Sequence, residues 1–586
     1  MAARKAARPR DPQRIRLIAL AVVFALIWVG LGYRLFQVQV VQASELRELG
    51  LDQRLTSIKT PPDRGTIFDR NGDPLAITVE AQSIIVDPRL VDNAVYTAQQ
   101  VSAASGRPWE RMLGEIEKGG SFRYLARQLE PAQAQAVLDL GLPGVSAINE
   151  PKRVFPHGPI AAHVLGMVDI DGKGIEGLEA YYDEALSGTG GEVVFEKPLA
   201  VGESDGPVAI PQAEIITVPP IPGNDLVATL DLSLQNSAYG ACQETVERTG
   251  ATGCWIVALE IETGEVLAMA GYPGFDPEAR VGLDGGSFEN FAVRGMYEPG
   301  STQKLITFSD GLETGVFSPS TVIGSVGDTI EITPGACRSD NDDLYGCYGD
   351  FSAHETRDMT IKEIFTISSN VGTIKASQML PEGTLVEYME RFGEAGKTGI
   401  DFSGETPGAI RTDPGCSSCL ASLAIGYSVG ASPLQMAAAY AAIGNDGVWI
   451  EPSLVRSIVD VNGVESSLTP NTRRVVSSDT AWAIRQMLKN VVVEGTGQAA
   501  TVPGYEVGGK TGTSDKIDEN GQYVEETMAS FVGIAPIQDP KVVVAVVVDN
   551  PDWAFRTGGA AAAPAFSKVM EAALQGLGVA PDVVPG

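Results

Sequence analysis

The chain has 586 residues, of which 44% are hydrophobic and 20% are charged, so it is too long for one ordinary domain and apolar enough to fold. We therefore expect two or three folded units rather than a disordered protein. The formal net charge of -31 argues against a nucleic-acid-binding surface, because phosphate contacts need clustered Lys and Arg.

The N-terminus reads as a membrane anchor. Residues 1–16 are basic, and residues 17–33 contain no charged side chain. A run of this length is at the short end of what spans a bilayer, and its apolar character continues to about residue 38. We predict a cytoplasmic tail at 1–16 and a transmembrane anchor at 17–38, with the rest of the chain outside the cytoplasm. A cleaved signal peptide is the alternative, but no small-x-small cleavage site follows the run.

Residues 39–222 mix short predicted strands and helices with Gly/Pro turns and show no catalytic cluster, so we predict a non-catalytic pedestal domain there. It begins with a polar, partly helical stalk at residues 39–60. The stretch Val218–Asn224 holds three prolines and a glycine, which break both helix and strand, and we place the domain boundary there.

A hairpin is predicted near the start of the pedestal, where Asn71-Gly72 lies between two apolar stretches. Arg64, Asp69 and Arg70 surround this turn. Their spacing suggests a charged brace between the pedestal and the following domain, without a chemical role.

Residues 223–578 have a different texture, with strands at both ends and helices between them. The predicted elements are a hairpin at 254–270 turning at Thr263-Gly264, a helix from Pro433, two apolar strands joined at Asp539-Pro540, and a terminal helix at Ala560–Leu577. Helices lying between early and late strands of one sheet predict an α/β sandwich of about 350 residues. We expect residues 579–586 to be a loose tail.

The chain has six cysteines, and an even number in an exported domain permits disulfides. Pairing of near neighbours is the simplest expectation, Cys337 with Cys347 and Cys416 with Cys419. A redox or zinc role for the last pair lacks a second CxxC and a thioredoxin-like setting. A metal site from Cys337, Cys347 and His354 is an equally weak alternative.

Gly504–Thr511 matches the phosphate-loop pattern GxxxxGK[ST]. That loop needs a helix starting at its lysine, so that backbone N–H groups meet phosphate. Here the sequence after Lys510 is polar turn sequence, and we reject an NTPase.

Gly426–Gly430 matches the GxSxG elbow of α/β-hydrolases, which needs a histidine base after its serine. All three histidines of the chain precede Ser428. We interpret the segment as a Gly-rich turn that leads into the helix from Pro433.

With histidine scarce, a lysine is the expected activator of a serine nucleophile. Pro299-Gly300 precedes a helical stretch, so Ser301 should lie at a helix N-terminus, where the dipole favours negative charge on its oxygen. The i, i+3 spacing puts Lys304 on the same face, within reach of that hydroxyl. Lys304 can act as a base only when neutral, so burial or a cationic neighbour must lower its pKa.

A second candidate element is Ser368-Ser369-Asn370. A hydroxyl at Ser368 could relay a proton between Lys304 and a leaving amine, and the Asn370 amide could orient a substrate backbone. In isolation, a polar helix cap explains this tripeptide better.

The third element is Lys510-Thr511-Gly512-Thr513. On a strand, Lys510 and Gly512 point to one face and the threonines to the other, unless the strand twists locally. A lysine with threonine hydroxyls suits a substrate carboxylate, and Gly512 permits close approach of a ligand backbone. Each motif is weak alone, but SxxK, SxN and KTG in this order form a strong signal.

With these motifs in order, the chain resembles the class B penicillin-binding proteins, most closely those of the septal cell-division (FtsI) type. The resemblance extends from the anchor to about residue 568 and includes Arg64–Gly72, residues 161–183 and the SPLQMAAAYAAIGNDG stretch from Ser432. Leu305 departs from the family, which often has proline there. The resemblance implies an α/β (α+β) sandwich of the penicillin-binding/serine β-lactamase type, a mixed α/β pedestal and one transmembrane helix.

The resemblance also implies a peptidoglycan D,D-transpeptidase that β-lactams acylate, without metal or cofactor. The resemblance implies that Ser301 is the nucleophile, Lys304 its base and Ser368 the proton shuttle. Asn370 would orient the substrate, and Lys510, Thr511 and Thr513 would bind its carboxylate beside Gly512. The backbone N–H groups of Ser301 and Thr513 would form the oxyanion hole. Stem peptides would be donor and acceptor, and a polytopic glycan polymerase and other division proteins would be partners at the inner membrane.

Five alternatives stay open at this stage. An elongation-type transpeptidase, a D,D-carboxypeptidase and a β-lactamase share the motifs, and the last two must let water reach the acyl ester. A membrane β-lactam sensor or a division scaffold would keep the fold without turnover.

Overall fold

A computed structural model describes residues 12–46, 55–196, 216–279, 288–338, 346–412, 416, 418–517 and 522–582. The chain divides into two compact units, one formed by Met1–Pro62 with Thr189–Ile221 and the other by Asp63–Gly188 with Pro222–Gly586.

The first unit contains a long apolar helix, Pro12–Phe36, that continues as a π-helical turn, Gln37–Val41. It is long and apolar enough to cross a membrane, and its side chains are exposed. Three antiparallel strands follow in this unit: Leu55–Thr60, Gly191–Glu196 and Ile216–Val218. The stalk predicted at 39–60 was expected to be partly helical, and the structure adds that its C-terminal residues, Leu55–Thr60, pair as a strand.

The second unit begins with a seven-stranded sheet. Its strands are Ile67–Phe68, Pro74–Val86, Arg123–Leu129, Val145–Val154, Asp225–Ala228, Val455–Val459 and Glu465–Ser467. Ile67–Phe68 and Pro74–Val86 form the hairpin predicted at Asn71-Gly72, where Gly72 has a φ of 94°. Asp225–Ala228 pairs with both Ile67–Phe68 and Val455–Val459, so the sheet contains strands from both sides of the predicted boundary.

Three helices, Ala94–Ser105, Trp109–Glu117 and Pro131–Leu138, pack on one part of this sheet around a small apolar core. Their caps are visible in the sequence. Asn93 accepts a hydrogen bond from Tyr96 N, and Gly106 ends the first helix with a φ of 68°.

A second, five-stranded sheet is antiparallel throughout. We label its strands β1 (Gly253–Glu260), β2 (Val266–Tyr272), β3 (Gly508–Ile517), β4 (Tyr523–Ala535) and β5 (Val542–Asp549), and the spatial order is β2-β1-β5-β4-β3. Seven helices are labelled α1 (Leu232–Thr249), α2 (Lys304–Glu313), α3 (Ile361–Ile367), α4 (Asn370–Ser377), α5 (Pro433–Gly444), α6 (Ser478–Val493) and α7 (Ala563–Gly576). The hairpin turn at Thr263-Gly264 and the turn at Asp539-Pro540 are confirmed.

The valine-rich strand β5 explains why the sheet is covered on both faces. Val543, Ala545 and Val547 belong to one apolar core, which includes α5. The alternate residues of the strand, such as Val544 and Val546, belong to another core that includes α1 and α7. A continuous apolar run is what a strand buried on both faces requires. This arrangement confirms the predicted α/β sandwich.

Smaller elements complete the second unit. The short helices are Ala162–Leu165, Gly177–Tyr181, Asp183–Leu186, Phe291–Arg294, Thr384–Phe392, Cys419–Ile425 and Gly558–Ala561. The short strand pairs are Met167–Val168 with Gly174–Glu176, Val322–Val326 with Arg357–Thr360, Thr329–Glu331 with Cys347–Gly349, Ala409–Ile410 with Val429–Gly430, and Val448–Ile450 with Thr472–Arg474.

The two predicted helices of this unit are confirmed. Helix α5 starts at Pro433 behind a capping box in which Ser432 and Gln435 satisfy each other's backbone N–H groups. The terminal helix is present as Gly558–Ala561 and α7. The predicted loose tail needs correction in its first part, because Tyr505 Oη donates to Val579 O at 2.7 Å and Glu506 N to Asp582 Oδ1 at 2.8 Å. Residues 583–586 lie outside the described residues.

Three disulfides join Cys242 to Cys254, Cys337 to Cys347 and Cys416 to Cys419. Both near-neighbour pairs expected from the sequence are confirmed. Because Cys337 and Cys347 are bonded to each other, they have no thiolates to offer a metal, and the alternative metal site is wrong.

The expected charged brace is right for Arg70 and wrong for Arg64. Arg70 Nη2 lies 3.3 Å from Glu260 Oε2 and 3.5 Å from Glu265 Oε2, on either side of the β1–β2 turn. Arg64 instead contacts Glu179 and Asp183, both within the predicted pedestal.

Asp69 shapes the hairpin turn and also contacts the following domain, as the expected brace requires. It accepts hydrogen bonds from Asn71 N and Asp73 N at 2.7 and 2.9 Å, and from Leu232 N at 3.1 Å at the start of α1. Its carboxylate thus shapes the turn and fixes it to α1.

Candidate active site

Ser301 lies in a 3₁₀ turn, Gly300–Gln303, that runs directly into α2. The predicted helix start is confirmed, with the difference that its first turn is tighter than an α-helix. In a 3₁₀ turn, residues i and i+3 eclipse each other, so Ser301 and Lys304 share one side. Ser301 is partly exposed, while Lys304 is completely buried.

The GxSxG segment supports the Ser301 turn through a close backbone contact. Gly300 N donates to Gly426 O at 3.0 Å, and a Cβ at Gly426 would lie only 2.0 Å from Gly300 O. Gly426 ends the helix Cys419–Ile425 with a φ of 88°. The interpretation of this segment as a Gly-rich turn is confirmed, and its function in the fold is to let the Ser301 turn approach closely.

The hydrogen bonds of the Lys304 ammonium go to the SxN segment. Lys304 Nζ lies 2.7 Å from Ser368 O, 3.3 Å from Ser368 Oγ and 2.7 Å from Asn370 Oδ1. Among the described residues it makes no hydrogen bond to Ser301. Burial lowers the pKa of Lys304 to about 7, against the opposing effect of the Asp350 carboxylate. The lowering predicted from the sequence is therefore present, and burial is its cause.

Ser368 and Ser369 have separate functions in the SxN turn. Ser369 is the N-cap of α4, where its Oγ accepts from Gly372 N at 2.9 Å and donates to Asp350 Oδ2 at 2.7 Å. Ser368 ends α3 in the left-handed region, with a φ of 64°. Such strain clusters at functional sites, and here it turns the Ser368 hydroxyl toward two lysines. The helix-cap interpretation thus applies to both serines, Ser369 as the N-cap of α4 and Ser368 as the C-cap of α3. The Ser368 hydroxyl in addition contacts both lysines.

The amide of Asn370 is held at both ends. Its Oδ1 accepts from Lys304, and its Nδ2 donates to Gly349 O at 2.9 Å. Its orientation is therefore set by protein partners, and an action on substrate stays a prediction.

The KTG motif lies on β3, at the edge of the five-stranded sheet. No helix begins at Lys510, which confirms that this segment is not a phosphate loop. Lys510 Nζ donates to Ser368 Oγ at 2.8 Å and lies 3.2 Å from Thr511 O. Burial and the charge of Lys304 lower the pKa of Lys510 well below its usual value.

The remaining KTG residues pack against neighbouring turns. Thr511 Oγ1 shares a 2.7 Å hydrogen bond with Thr496 Oγ1, and Gly558 N donates to Thr513 Oγ1 at 3.3 Å. A Cβ on Gly512 would lie 2.3 Å from Ser530 Oγ and 2.7 Å from Pro299 O. The glycine therefore lets β3 approach the protein's own backbone before the Ser301 turn.

Asp350 is a site residue that sequence reasoning missed. It accepts hydrogen bonds from Ser369 Oγ, from Val371 N at 2.9 Å and from His354 Nε2 at 2.9 Å. It thereby holds the start of α4 and places a negative charge near Lys304. It comes 20 residues before Asn370 in an irregular loop, and no local pattern marks it.

Glu298, three residues before Ser301, was also missed. Its Oε1 accepts from Ser428 N at 2.7 Å, and its Oε2 accepts from Tyr523 Oη at 3.1 Å. Burial raises its pKa to about 7. The available signal was its position, an acidic residue directly before Pro299-Gly300 and the SxxK motif.

Two large aromatic side chains are exposed near the motifs. Phe351 follows Asp350 and is 75% exposed, and Trp553 follows β5 and is 73% exposed. The Arg556 guanidinium lies 3.4 Å from the centre of the Trp553 ring and 5.8 Å from that of Phe351. A cation thus joins the loop beside the SxN turn to the loop beside the KTG strand.

The comparisons with known proteins agree with this geometry. The penicillin-binding protein transpeptidase domain model matches residues 254–571, and the penicillin-binding protein dimerisation domain model matches residues 59–228. The chain belongs to the class B penicillin-binding proteins. All eight predicted site residues lie within the transpeptidase match.

Relatives of this family extend over almost the whole chain. Penicillin-binding protein PbpB of Mycobacterium tuberculosis is 33% identical over 94% of this chain and 83% of its own length. Peptidoglycan D,D-transpeptidase FtsI of Buchnera aphidicola is 30% identical over 97% of this chain and 96% of its own length. The crystal structure of penicillin binding protein 3 from Mycobacterium tuberculosis, complexed with aztreonam, superposes with a TM-score of 0.68 at 29% identity, covering 90% of this chain and all of that one.

Proposed function

We propose that the chain is a peptidoglycan D,D-transpeptidase that cross-links stem peptides at the division septum through an acyl-enzyme on Ser301. One observation supports this most directly: the ammonium groups of Lys304 and Lys510 converge on the Ser368 hydroxyl, beside the turn that carries Ser301. Two relatives named as peptidoglycan D,D-transpeptidases, one of them as probable, are 31% and 30% identical to it over 96% of their own length.

Acylation begins when Ser301 Oγ attacks the carbonyl carbon of the penultimate D-Ala of a donor stem peptide. Lys304 Nζ accepts the hydroxyl proton, which it can do near neutral pH because burial lowers its pKa to about 7. The N–H groups of Ser301 and Thr513 stabilise the oxyanion, and each such donor typically contributes about 3 kcal/mol to transition-state stabilisation.

The C–N bond then breaks, and the departing D-Ala nitrogen takes a proton. The Ser368 hydroxyl can deliver it, since this oxygen is within hydrogen-bond distance of Lys304 Nζ and can be reprotonated from there. The acyl ester on Ser301 remains. The amine of an acceptor stem peptide attacks this ester, the C–O bond breaks, and the Ser301 hydroxyl is regenerated.

We assign the terminal carboxylate of the donor to Lys510, Thr511 and Thr513. Lys510 is completely buried, and a bound carboxylate would supply the negative charge that this ammonium lacks in the described site. Carboxylate binding should therefore raise the lowered pKa of Lys510. Penicillins carry a carboxylate beside a strained amide, and we expect them to acylate Ser301 in the same orientation.

We also propose the arrangement in the cell. The apolar helix Pro12–Phe36 would anchor the chain in the inner membrane as a single pass, with residues 1–16 cytoplasmic and the catalytic domain periplasmic. The dimerisation-type region would be a non-catalytic pedestal at residues 39–222 that precedes a transpeptidase domain at 223–578. A polytopic glycan polymerase and other division proteins are the expected membrane partners.

Labelling with fluorescent penicillin tests the nucleophile. Wild type should be labelled and Ser301→Ala should not, while Ser428→Ala, the serine of the GxSxG turn, should be labelled normally. Peptide mapping should locate the adduct on Ser301. Labelling of Ser301→Ala at the wild-type rate would refute the assignment.

Turnover of a labelled pentapeptide tests the reaction type. With an acceptor amine present, the cross-linked product should predominate over free tetrapeptide. Rapid hydrolysis without cross-linked product would favour a D,D-carboxypeptidase or a β-lactamase instead.

A further inference from the structure

Behind the nucleophile turn lies a buried carboxyl group without a cationic partner. Glu394 is completely buried, and its Oε2 accepts a hydrogen bond from Gln303 Nε2 at 2.8 Å. Gln303 is itself completely buried and lies between Ser301 and Lys304. No salt bridge within the described residues involves Glu394.

The second atoms of both side chains are unsatisfied. Gln303 Oε1 and Glu394 Oε1 are buried, and among the described residues neither has a hydrogen-bond partner. If Glu394 is ionised, both atoms are acceptors and neither can satisfy the other. A proton on Glu394 Oε1 makes that oxygen a donor, for which Gln303 Oε1 is the matching acceptor. One proton thus removes a buried charge and two unsatisfied acceptors.

We propose that Glu394 is protonated in the working enzyme and forms a doubly hydrogen-bonded acid–amide pair with Gln303, which positions the turn carrying Ser301 and Lys304. In this proposal, Glu394 is a positioning residue that acts through Gln303. The proposal rests on the proposed function of Ser301 and Lys304, and it adds a pH limit to the same site.

The surroundings of Glu394 favour the neutral acid. The titratable groups that face its carboxyl are the phenols of Tyr297 and Tyr440, both buried and both with raised pKa values. Burial raises the pKa of Glu394 itself to about 8. The pair is therefore intact at neutral pH, and it should lose its proton in mildly alkaline solution.

Other hydrogen bonds of the described residues also hold the nucleophile turn. Tyr440 Oη donates to Thr302 O at 2.9 Å, and Gly300 N donates to Gly426 O. The hydrogen bond between Gln303 and Glu394 holds the residue that directly precedes Lys304. Ionisation of Glu394 would place a buried charge against Gln303 Oε1 and disturb the turn one residue away from the base.

The pH dependence of acylation tests this proposal. The second-order rate constant for a fluorescent penicillin is measured on the full-length protein in detergent from pH 6 to 9.5. For wild type we expect a rise through about pH 7, where Lys304 becomes neutral, and a fall above about pH 8, where Glu394 ionises. Glu394→Gln keeps both hydrogen bonds with a group that cannot ionise. It should retain the neutral rate within about threefold and lose the alkaline fall.

Two further variants complete the comparison. Glu394→Leu leaves both the donor and the acceptor of the Gln303 amide unsatisfied and should slow acylation about tenfold or more at pH 7. Glu390→Gln, at an exposed glutamate of the preceding helix, should match wild type at every pH. The proposal would be overturned if the wild-type acylation rate did not fall between pH 8 and pH 9.5. It would also be overturned if the rate of Glu394→Gln kept the alkaline fall.

Infrared difference spectroscopy detects the protonated carboxyl group without a measurement of enzyme activity. At pH 7, wild type minus Glu394→Gln should contain the C=O stretch of a protonated carboxyl group, and this band should vanish by pH 9.5. Absence of the band at pH 7 would refute the acid–amide pair, whatever the kinetics. If the band is present but Ser301→Ala is still acylated, the proposed function fails and the pair stands.

Discussion

The ammonium nitrogen of Lys510 lies 2.8 Å from Ser368 Oγ and joins the KTG strand to the SxN turn. Lys304 approaches the same oxygen at 3.3 Å, so one hydroxyl lies between two buried lysines. A hydroxyl has two lone pairs and one proton, and it can accept from both lysines while it donates to a third group. This geometry makes Ser368 the shared element of the three motifs.

Replacement of Ser368 should therefore affect chemistry, whereas replacement of its neighbour should affect stability. Ser368→Ala removes the proton path to the leaving amine, and we expect acylation and cross-linking to slow by about 10²–10⁴-fold, the usual contribution of a proton-transfer group. Ser369→Ala removes the N-cap of α4 and should cost about 1 kcal/mol of stability. Rate constants and thermal unfolding of both variants check this. Equal kinetic effects of the two substitutions would contradict a special function of Ser368.

The pH dependence of acylation should report Lys304. Because the base must be neutral and its pKa is about 7, the rate should rise about tenfold per pH unit well below pH 7 and level off between about pH 7 and pH 8. The Asp350 carboxylate raises the pKa of Lys304, so Asp350→Asn should lower that pKa. The rising limb of the profile then moves to more acidic pH.

Stopped-flow acylation from pH 5 to 8 measures this shift. A limb that moves to more alkaline pH in Asp350→Asn would contradict the electrostatic explanation. Lys304→Met should lose the limb entirely, together with most of the rate.

Gly512 should tolerate no side chain. Its Cβ would lie 2.3 Å from Ser530 Oγ and 2.7 Å from Pro299 O, and the second of these is backbone next to the nucleophile turn. Gly512→Ala must move β3 away from this turn, and a displacement of about 1 Å can cost about 10²-fold in rate. The matched control is Gly240→Ala in the middle of α1, where a Cβ meets nothing within 4 Å. It should be active and slightly more stable, by up to about 1 kcal/mol. Acylation kinetics and melting temperatures of both variants test the contrast.

Local patterns predicted much of the fold. The turns at Asn71-Gly72 and Thr263-Gly264 and the start of α5 at Pro433 each follow from turn or cap chemistry within a few residues. Strand β5 was recognisable from its continuous run of valines, and the structure adds that its alternate residues belong to two different cores. The near-neighbour disulfides were equally local.

The contacts that the sequence did not predict connect distant parts of the chain. Arg64 pairs with Glu179, 115 residues later, and Gln303 pairs with Glu394, 91 residues later. Asp225–Ala228 joins a sheet with strands on both sides of a stretch that looks like a linker. Such pairings are decided by tertiary packing, and no periodicity or spacing in one sequence reports them. The SxxK, SxN and KTG motifs could be assigned to one site from the sequence only because their order is a known signature.

A last prediction concerns the buried charges around Glu179. Its Oε2 lies 2.5 Å from Arg64 Nε and its Oε1 lies 2.7 Å from Arg153 Nε, and the carboxylate is completely buried. One carboxylate thus neutralises much of two buried guanidinium groups. Glu179→Gln keeps the shape and removes the charge, and breaking a buried pair in this way typically costs roughly 3–5 kcal/mol.

The exposed neighbour Glu184 offers a matched control, because Glu184→Gln removes the same charge from the surface and should change stability by less than about 0.5 kcal/mol. Urea unfolding followed by tryptophan fluorescence compares the two variants with wild type. Glu179 lies in the dimerisation-type region and outside the three motifs, so folded Glu179→Gln should still acylate at the wild-type rate at low temperature. If Glu179→Gln unfolds at the wild-type urea concentration, Asp183 alone must suffice for Arg64, which it contacts at 2.7 Å. In that event the Arg153 guanidinium would be buried without a full counter-charge. Its 2.7 Å hydrogen bond to Gly65 O would then help to stabilise it.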